Sequence, residues 1–323
     1  MNIRTWLKHR KIGVVYGGRS AERSISLLSG KAVLKSLLSM GFNAVGIDAG
    51  KDLPSQLKKK NIKFAYIALH GPGGEDGAVQ GLLETMDIPY SGPGVASSAL
   101  AMNKIYSKMV FDSFNLPSPK WGLVSRESSV VSSQSSHLPL TTYHLRLPVV
   151  VKPASQGSAI GVSIVKKKSG LKAAIKLAFK YDTQVIVEQF VAGTEITIGV
   201  LGGVALPAVE IVPKNDFYDF ESKYTPGMST HLIPPRLPAS VIARAQELAV
   251  KAFNAMGCVG VSRIDFIVDN KGKPWLLEVN TIPGMTETSL LPDEGRAVGL
   301  SFGELILKII EHSVEGRGKA SLK

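Results

Sequence analysis

A chain of 323 residues, 44% hydrophobic and 20% charged, has the length and composition of a soluble α/β protein with two or three lobes. Its longest apolar runs, VQGLLETM and WLLEV, fall far short of the roughly 18 to 20 residues that span a bilayer, and a single cysteine, Cys258, excludes an internal disulfide framework. The net charge of +12 raises nucleic-acid binding, but the lysines come in short groups such as Lys58-Lys59-Lys60 and Lys166-Lys167-Lys168, with neither stacking aromatics nor zinc-ligand spacing beside them. They read as a solvated basic face, and no nucleic-acid or membrane partner is expected.

The N-terminal MNIRTWLKHRKIG is basic but lacks a continuous apolar core and a small-residue cleavage site, so it is a poor signal peptide and the cytoplasm is the expected location. Lys11 to Tyr16 reads as an apolar strand ending in Gly17-Gly18-Arg19-Ser20, followed by a helix with apolar residues at helical spacing that Gly41 closes. A second strand ends at Asp48. The βαβ pattern is that of a dinucleotide-binding fold, but Gly17-Gly18 is not G-x-G-x-x-G and Asp48 lies too far downstream for the usual ribose contact. The third strand ends at His70 and opens into Gly71-Pro72-Gly73-Gly74-Glu75-Asp76-Gly77, at the edge of a parallel sheet where α/β proteins place ligands. His70 and Glu75 could equally serve only the backbone of that loop.

Ser97 to Phe114 reads as one helix carrying Lys104 and Lys108 one turn apart, a spacing at which lysines are usually exposed. Val124 to Leu147 is rich in Ser and Thr with little periodicity and fits an irregular excursion. Leu147 to Pro153 is a buried strand presenting Lys152 near its end. The following ASQGSAIGVSIV turns back through Gly157 and Gly161, and a hairpin of this kind can lay N–H groups and a Ser hydroxyl over polyphosphate, although it is no Walker loop. Gln184 to Glu188 is a further strand. KNDFYDFESKYTPGMSTHLIPP reads as a packed, aromatic-rich Ω-loop, Pro238 to Met256 as an amphipathic helix, and Ser301 to Ser313 as a final packing helix.

Ser262 to Gly284 alternates apolar and polar residues on either side of Asn270-Lys271-Gly272-Lys273, which predicts a β-hairpin. Pairing Asp269 with Pro274 sets Asp265 opposite Glu278 and Arg263 opposite Asn280, with Ile264, Phe266, Val268, Leu277 and Val279 on the apolar face and Ile267 and Leu276 interrupting the polar one. Two opposed carboxylates repel unless a cation lies between them. The hard oxygens of Asp265, Glu278 and Asn280 suit Mg²⁺, and Arg263 could steady an anion reacting in front of it. The plainer alternative is a solvated face of surface ion pairs worth little.

Arg263-Ile-Asp265 followed by Leu-Leu-Glu278-Val-Asn280-Thr-Ile-Pro-Gly284-Met-Thr resembles the metal site of the ATP-grasp enzymes, and specifically of the D-alanine–D-alanine ligases. GGRSAERSISLLSG, HGPGGEDGAVQGLLE and IPYSGPGVASSALAMNK are similar to that family's other signatures, in the same order. The resemblance implies an α/β, three-lobed ATP-grasp fold: a Rossmann-like N-terminal domain over 1–93, a central lobe over 94–188 and a C-terminal lobe over 189–323. It implies ATP-dependent joining of two D-alanines through an acylphosphate, with two Mg²⁺ (or Mn²⁺) ions on Asp265, Glu278 and Asn280. Glu22 then receives the first ammonium, with His70 and Glu75 in the same site. Lys104 and Lys152 touch phosphate and nucleotide, Glu188, Gln189, Phe190 and Val191 hold adenine, and Glu195 the ribose. Ser158 closes over the site, Lys223 approaches the terminal phosphate, and Tyr224 reaches back to the first lobe and favours D-alanine as second substrate. Ser289 and Leu290 place that second substrate, while Arg263 and the Gly284 N–H stabilise the oxyanion. A homodimer is implied by the resemblance only. A D-alanine–D-lactate or D-alanine–D-serine ligase is the enzymatic alternative, and a basic nucleic-acid-binding protein the remote one.

Overall fold

A computed structural model describes residues 2–125, 145–214 and 228–318. The chain begins with α1 (Ile3–Lys8), β1 (Ile12–Tyr16), α2 (Arg23–Ser39), β2 (Ala44–Asp48), α3 (Leu53–Lys59), β3 (Phe64–Ile67) and α4 (Ala78–Thr85). The three strands are parallel in the order β2-β1-β3. Both faces of this sheet are covered, as parallel sheets require. Val14, Phe64 and Tyr66 face a core shared with α1, α2 and the distant helix Phe302–Gly316, while Val15, Ala65 and Ile67 face α3 and α4, the alternation of a strand. Helix α2 lies so close to β1 that a Cβ on Gly30 would fall 2.3 Å from the Tyr16 Cβ. The loops after β1 and β3 leave from the same sheet edge, and they carry Glu22, His70 and Glu75.

Next come α5 (Val95–Met102) and α6 (Lys104–Ser113). The single helix expected from Ser97 to Phe114 is broken at Asn103, whose side chain accepts the backbone N–H groups of Ile105 (2.9 Å) and Tyr106 (3.3 Å) and so starts a new helix with Lys104. Strands β4 (Trp121–Ser125), β5 (Val149–Pro153) and β6 (Ser163–Val165), helix α7 (Leu171–Ala178) and strand β7 (Gln184–Gln189) follow. Their sheet is antiparallel in the order β4-β7-β5-β6, with Val151, Val185 and Val187 in its core beside Ala174 and Ala178 of α7.

The last sheet is built from β8 (Gly193–Leu201), β9 (Val204–Ala205), β10 (Val209–Pro213), β11 (Ser229–Leu232), β12 (Val261–Asp269) and β13 (Pro274–Asn280), in the order β11-β10-β8-β12-β13 with β9 beside β8. Helix α8 (Ala239–Ala255) lays Ala245, Leu248, Ala249, Ala252 and Phe253 on it, a stripe at helical spacing. Helices α9 (Leu290–Ala297) and α10 (Phe302–Gly316) close the chain. Ser301 and Glu304 form a capping box at the start of α10. Ser229 to Leu232, expected within an Ω-loop, instead pairs with β10 as an edge strand. The Ser/Thr-rich stretch and the segment containing Lys223 and Tyr224 lie mostly outside the described residues. Cys258 is buried as expected, and burial pushes its thiol up to about 11.

The hairpin of β12 and β13 confirms the pairs Arg263–Asn280 and Asp265–Glu278 and corrects the register nearer the turn. Val268, not Asp269, pairs with Pro274, and Phe266 pairs with Leu276, leaving Leu277 as the extra residue of a bulge. Asp269 instead accepts the turn N–H groups of Lys271 (2.8 Å) and Lys273 (3.0 Å) with its side chain. Because of the bulge it is Leu276 that enters the core, and Leu277 stays half-buried. Leu276→Ala is therefore expected to cost about 2–5 kcal/mol and Leu277→Ala clearly less, as read by urea denaturation. The reverse ranking would restore the simple register.

Candidate active site

The hairpin's polar face is not a solvated surface. Asp265 is buried, and the Arg263 guanidinium grips it with Nε and one Nη, both at 3.1 Å. Thr197 on β8 donates to the same carboxylate at 2.5 Å, and the Asn280 amide at 2.9 Å. Across the strands, Glu278 lies 3.7 Å from the Lys104 ammonium. Hydrogen-bonded, part-buried charges of this kind define a geometry in a way that exposed pairs do not. Among the described residues no group of three or more His, Cys, Asp and Glu side chains gathers to hold a metal. The donor set is nevertheless hard: two carboxylates and the Asn280 amide oxygen on one face fit Mg²⁺, which fills its remaining positions with water and substrate phosphate. Arg263 would then share Asp265 with the ion.

Lys104 joins this face to the glycine-rich hairpin, since its ammonium donates to the Gln156 carbonyl at 2.6 Å. Lys108 departs from the exposure expected of it. It is fully buried, and its ammonium sits 3.1 Å from Glu188, whose other oxygen is held by Lys152. Burial would raise the Glu188 carboxyl, but Lys108 and Lys152 outweigh that and hold it below the usual carboxylate range; burial depresses the Lys108 ammonium. The Gln189 side chain is tied to neighbouring backbone, accepting from the Arg146 N–H and donating to the Arg146 and Pro148 carbonyls. Phe190 and Val191 lie half-buried at the end of β7, and Glu195, also half-buried, stands on β8 opposite Ile267. Lys223 and Tyr224 lie outside the described residues.

A cavity of about 530 Å³ opens beside the hairpin, and Glu22, His70, Glu75, Ser158, Arg263, Asn280, Gly284, Ser289 and Leu290 all line it. The Ser158 hydroxyl donates to the Glu22 carboxylate, which ties the glycine-rich hairpin to the first lobe. His70 is buried with its Nε2 3.3 Å from the Ser29 hydroxyl; burial depresses its imidazole, and Glu22 and the Ile282 backbone only partly oppose this. Glu75 accepts the Gly71 N–H at 2.7 Å. Its carboxyl is pushed up to about 8 by burial and then by Glu22. Ser289 stands at the N-cap position of α9 without a side-chain capping bond, and its Oγ instead accepts the Thr286 N–H at 3.0 Å. Lys104, Lys152, Glu188, Gln189, Phe190, Val191 and Glu195, expected on the nucleotide, are not among the residues that line this cavity.

Family models described as the C-terminus and the N-terminus of D-ala D-ala ligase match residues 110–311 and 48–93. The chain belongs to the D-alanine–D-alanine ligase family. A ligase of that name from Citrifermentans bemidjiense is 49% identical over 94% of this chain and 96% of its own, and one from Geobacter sulfurreducens is 49% identical over 98% of both. Among solved structures, the Bacillus anthracis D-alanine–D-alanine ligase complexed with ATP superposes with a TM-score of 0.82, at 32% identity, over 96% of this chain and 99% of that one. A D-Ala:D-Ser ligase from Enterococcus faecalis gives 0.79, at 30% identity, over 94% and 99%. The ATP-grasp architecture expected from the motifs is thus that of the family.

Four residues that the structure brings to or against this site were not assigned to it from the sequence: Thr197, Lys108, His231 and Glu294. Thr197 and Lys108 are partners of residues that were foreseen. His231 lines the cavity from β11, bonded to Asp293 on α9. Glu294 is fully buried, accepting the Gly199 N–H at 2.8 Å with one oxygen while the other has no hydrogen-bond partner among the described residues. Burial pushes its carboxyl up to about 8, the Gly199 N–H and Arg263 opposing and Asp265 and Asp293 adding to the rise. A carboxyl raised in the folded state binds protons more tightly there than in the unfolded chain, so its contribution is lost as pH climbs from about 4.5 to about 8. Glu294→Gln, which keeps the acceptor for Gly199, is expected to flatten that decline. Urea titrations of both proteins at pH 5 and pH 8 should show the variant losing less stability than the wild type across the interval.

Proposed function

We propose that this chain joins two D-alanine molecules into D-alanyl-D-alanine, cleaving ATP to ADP and phosphate and supplying a peptidoglycan precursor. The observation that carries the reading is the convergence, around one cavity of about 530 Å³, of a carboxylate able to accept an ammonium (Glu22), a guanidinium (Arg263), a glycine (Gly284) and a serine at the start of α9 (Ser289), next to the hard-oxygen face of the hairpin. A volume of this order suits a small ligand held by a few polar groups.

In this reading the first D-alanine sets its ammonium on Glu22, and its carboxylate attacks the γ-phosphoryl group of ATP, whose phosphates lie toward Lys104 and Lys152. Mg²⁺ held by Asp265, Glu278 and Asn280 would supply screening of the phosphate charge. An acylphosphate results. The second D-alanine, placed by Ser289 and Leu290, attacks its carbonyl through a free amine, and Arg263 with the Gly284 N–H stabilises the oxyanion of the tetrahedral intermediate. The Glu22–Ser158 bond brings the glycine-rich hairpin down on the first substrate and limits the access of water to the acylphosphate.

Relatives at 49% identity that are named for D-alanine on both sides support D-alanine as second substrate over the D-serine used by the more distant Enterococcus faecalis enzyme. The reading includes a homodimer, after the family resemblance, and the cytoplasm, where ATP is at hand; among the described residues no helix is long and apolar enough to cross a membrane.

Incubation with ATP, Mg²⁺ and D-alanine should release phosphate and give a product with the mass of the dipeptide, with D-serine and D-lactate turned over far more slowly. Asp265→Asn and Glu278→Gln are expected to abolish turnover while leaving the fold intact by circular dichroism. Arg263→Ala should lower kcat by about 10²- to 10³-fold, the usual worth of an oxyanion donor. Near-normal turnover in either carboxylate variant, or an Arg263→Ala effect confined to KM, would contradict these assignments.

A further inference from the structure

The reaction proposed above leaves one proton without a destination. A D-alanine in neutral solution carries an ammonium, which has no lone pair, and the group that accepts its proton must stand beside the second substrate. His231 on β11 has the right chemistry and place. Its Nδ1 lies 2.7 Å from Asp293 Oδ2 in the first turn of α9. A carboxylate oxygen only accepts, so Nδ1 carries a ring proton, and in the neutral form of the imidazole the lone pair lies on Nε2. That Nε2 is buried and, among the described residues, has no hydrogen-bond partner. A buried polar atom left unpaired is costly enough to call for a reason.

The position of the ring is fixed from both sides. Val209, Ile211 and Leu290 form a small apolar cluster with Ile233 packed against it, which holds β10 and β11 on the start of α9. Arg296 engages the other oxygen of Asp293, so the carboxylate is itself oriented. His231 lines the same cavity as Ser289, Leu290, Gly284 and Arg263, the groups assigned above to the second substrate and the oxyanion. Asp293 bonds the ring directly and Arg296 engages Asp293, while Glu22, Lys31, Lys35, Glu75, Arg263 and Glu287 are the other charged side chains that line the cavity.

Resting on that reaction, we propose that His231 is the general base for the second half-reaction, with Asp293 as its positioning residue. The ammonium of the second D-alanine gives one proton to Nε2, forming an imidazolium paired with Asp293. The freed nitrogen lone pair forms the new C–N bond at the acyl carbon. As the tetrahedral intermediate collapses, the C–O bond to phosphate breaks, its electron pair leaves with the phosphate, and the second amine proton goes to that leaving group. The imidazolium returns its proton to water as product departs.

Hydroxylamine separates a base from a merely structural histidine, because it is uncharged near neutrality and attacks an acylphosphate without help, giving D-alanine hydroxamate. The full chain is incubated with ATP, Mg²⁺ and D-alanine, with and without hydroxylamine, and both products are quantified. For His231→Asn, whose amide can still donate to Asp293, kcat for the dipeptide should fall roughly 10²-fold, the low end for a general base, while hydroxamate formation stays near the wild-type rate. Asp293→Asn should shift the ratio of the two products in the same direction by less. If both products fall together in the two variants, or neither falls, His231 is not the base. A wild-type chain that forms neither product overturns the underlying reaction, and this role with it.

Discussion

Asp265 and Glu278 face each other across two hydrogen-bonded strands, and the repulsion between two carboxylates so placed has to be offset by cations. Arg263 supplies one from the same strand and Lys104 another from the start of α6. Everything else in the site is arranged about that balance. The pairing depends on the bulge at Leu277: without the extra residue, a strand anchored by Val268–Pro274 would place Glu278 one position away from Asp265. Thr197, contributed by the neighbouring strand β8, fixes the Asp265 carboxylate from the other side, so three adjacent strands share in setting one group.

A second constraint keeps the first lobe's loops against this face. Helix α10 belongs by sequence to the end of the chain, yet Leu305, Ile306, Ile309 and Ile310 share a core with β1, β3 and α2. Next to it, Arg317 stacks over the Tyr90 ring at 3.7 Å and donates to the Tyr90 and Gly92 carbonyls, while the Ser313 hydroxyl accepts the Gly92 N–H at 2.9 Å. Ser29 on α2 accepts the Met285 N–H at 3.2 Å from the loop that follows the hairpin. Glu22, His70 and Glu75 are thereby held opposite Arg263 and Gly284 by packed elements, the condition for positioning a substrate to within the tolerance that catalysis needs.

Much of this was legible in the sequence because it rests on local pattern. Alternation of apolar and polar residues pointed to the hairpin and its facing pairs, and the glycine-punctuated loop after β3 pointed to a ligand edge of the first sheet, whereas the glycine pair after β1 matched no fingerprint. What was not legible depends on partners distant in the chain. Lys108 has the spacing of an exposed helical lysine, and only the folded chain brings Glu188 within 3.1 Å of it. Asn103 breaks a helix that propensity would continue, because its side chain caps a new one. The bulge at Leu277 exchanges the roles of two adjacent leucines, a distinction that composition does not carry. His231 lies in a stretch read as loop, and its pairing with Asp293 spans 62 positions. Glu294 reads as an ordinary helical glutamate until Gly199 is found beside it.

The central claim is that the carboxylate of one D-alanine is phosphorylated before the peptide bond forms. D-alanine labelled with ¹⁸O in both carboxylate oxygens tests it directly, with the inorganic phosphate recovered after turnover and analysed by mass. The account predicts one ¹⁸O atom in each phosphate released, carried over when the C–O bond of the acylphosphate breaks. Phosphate free of the label, formed alongside dipeptide, would contradict it.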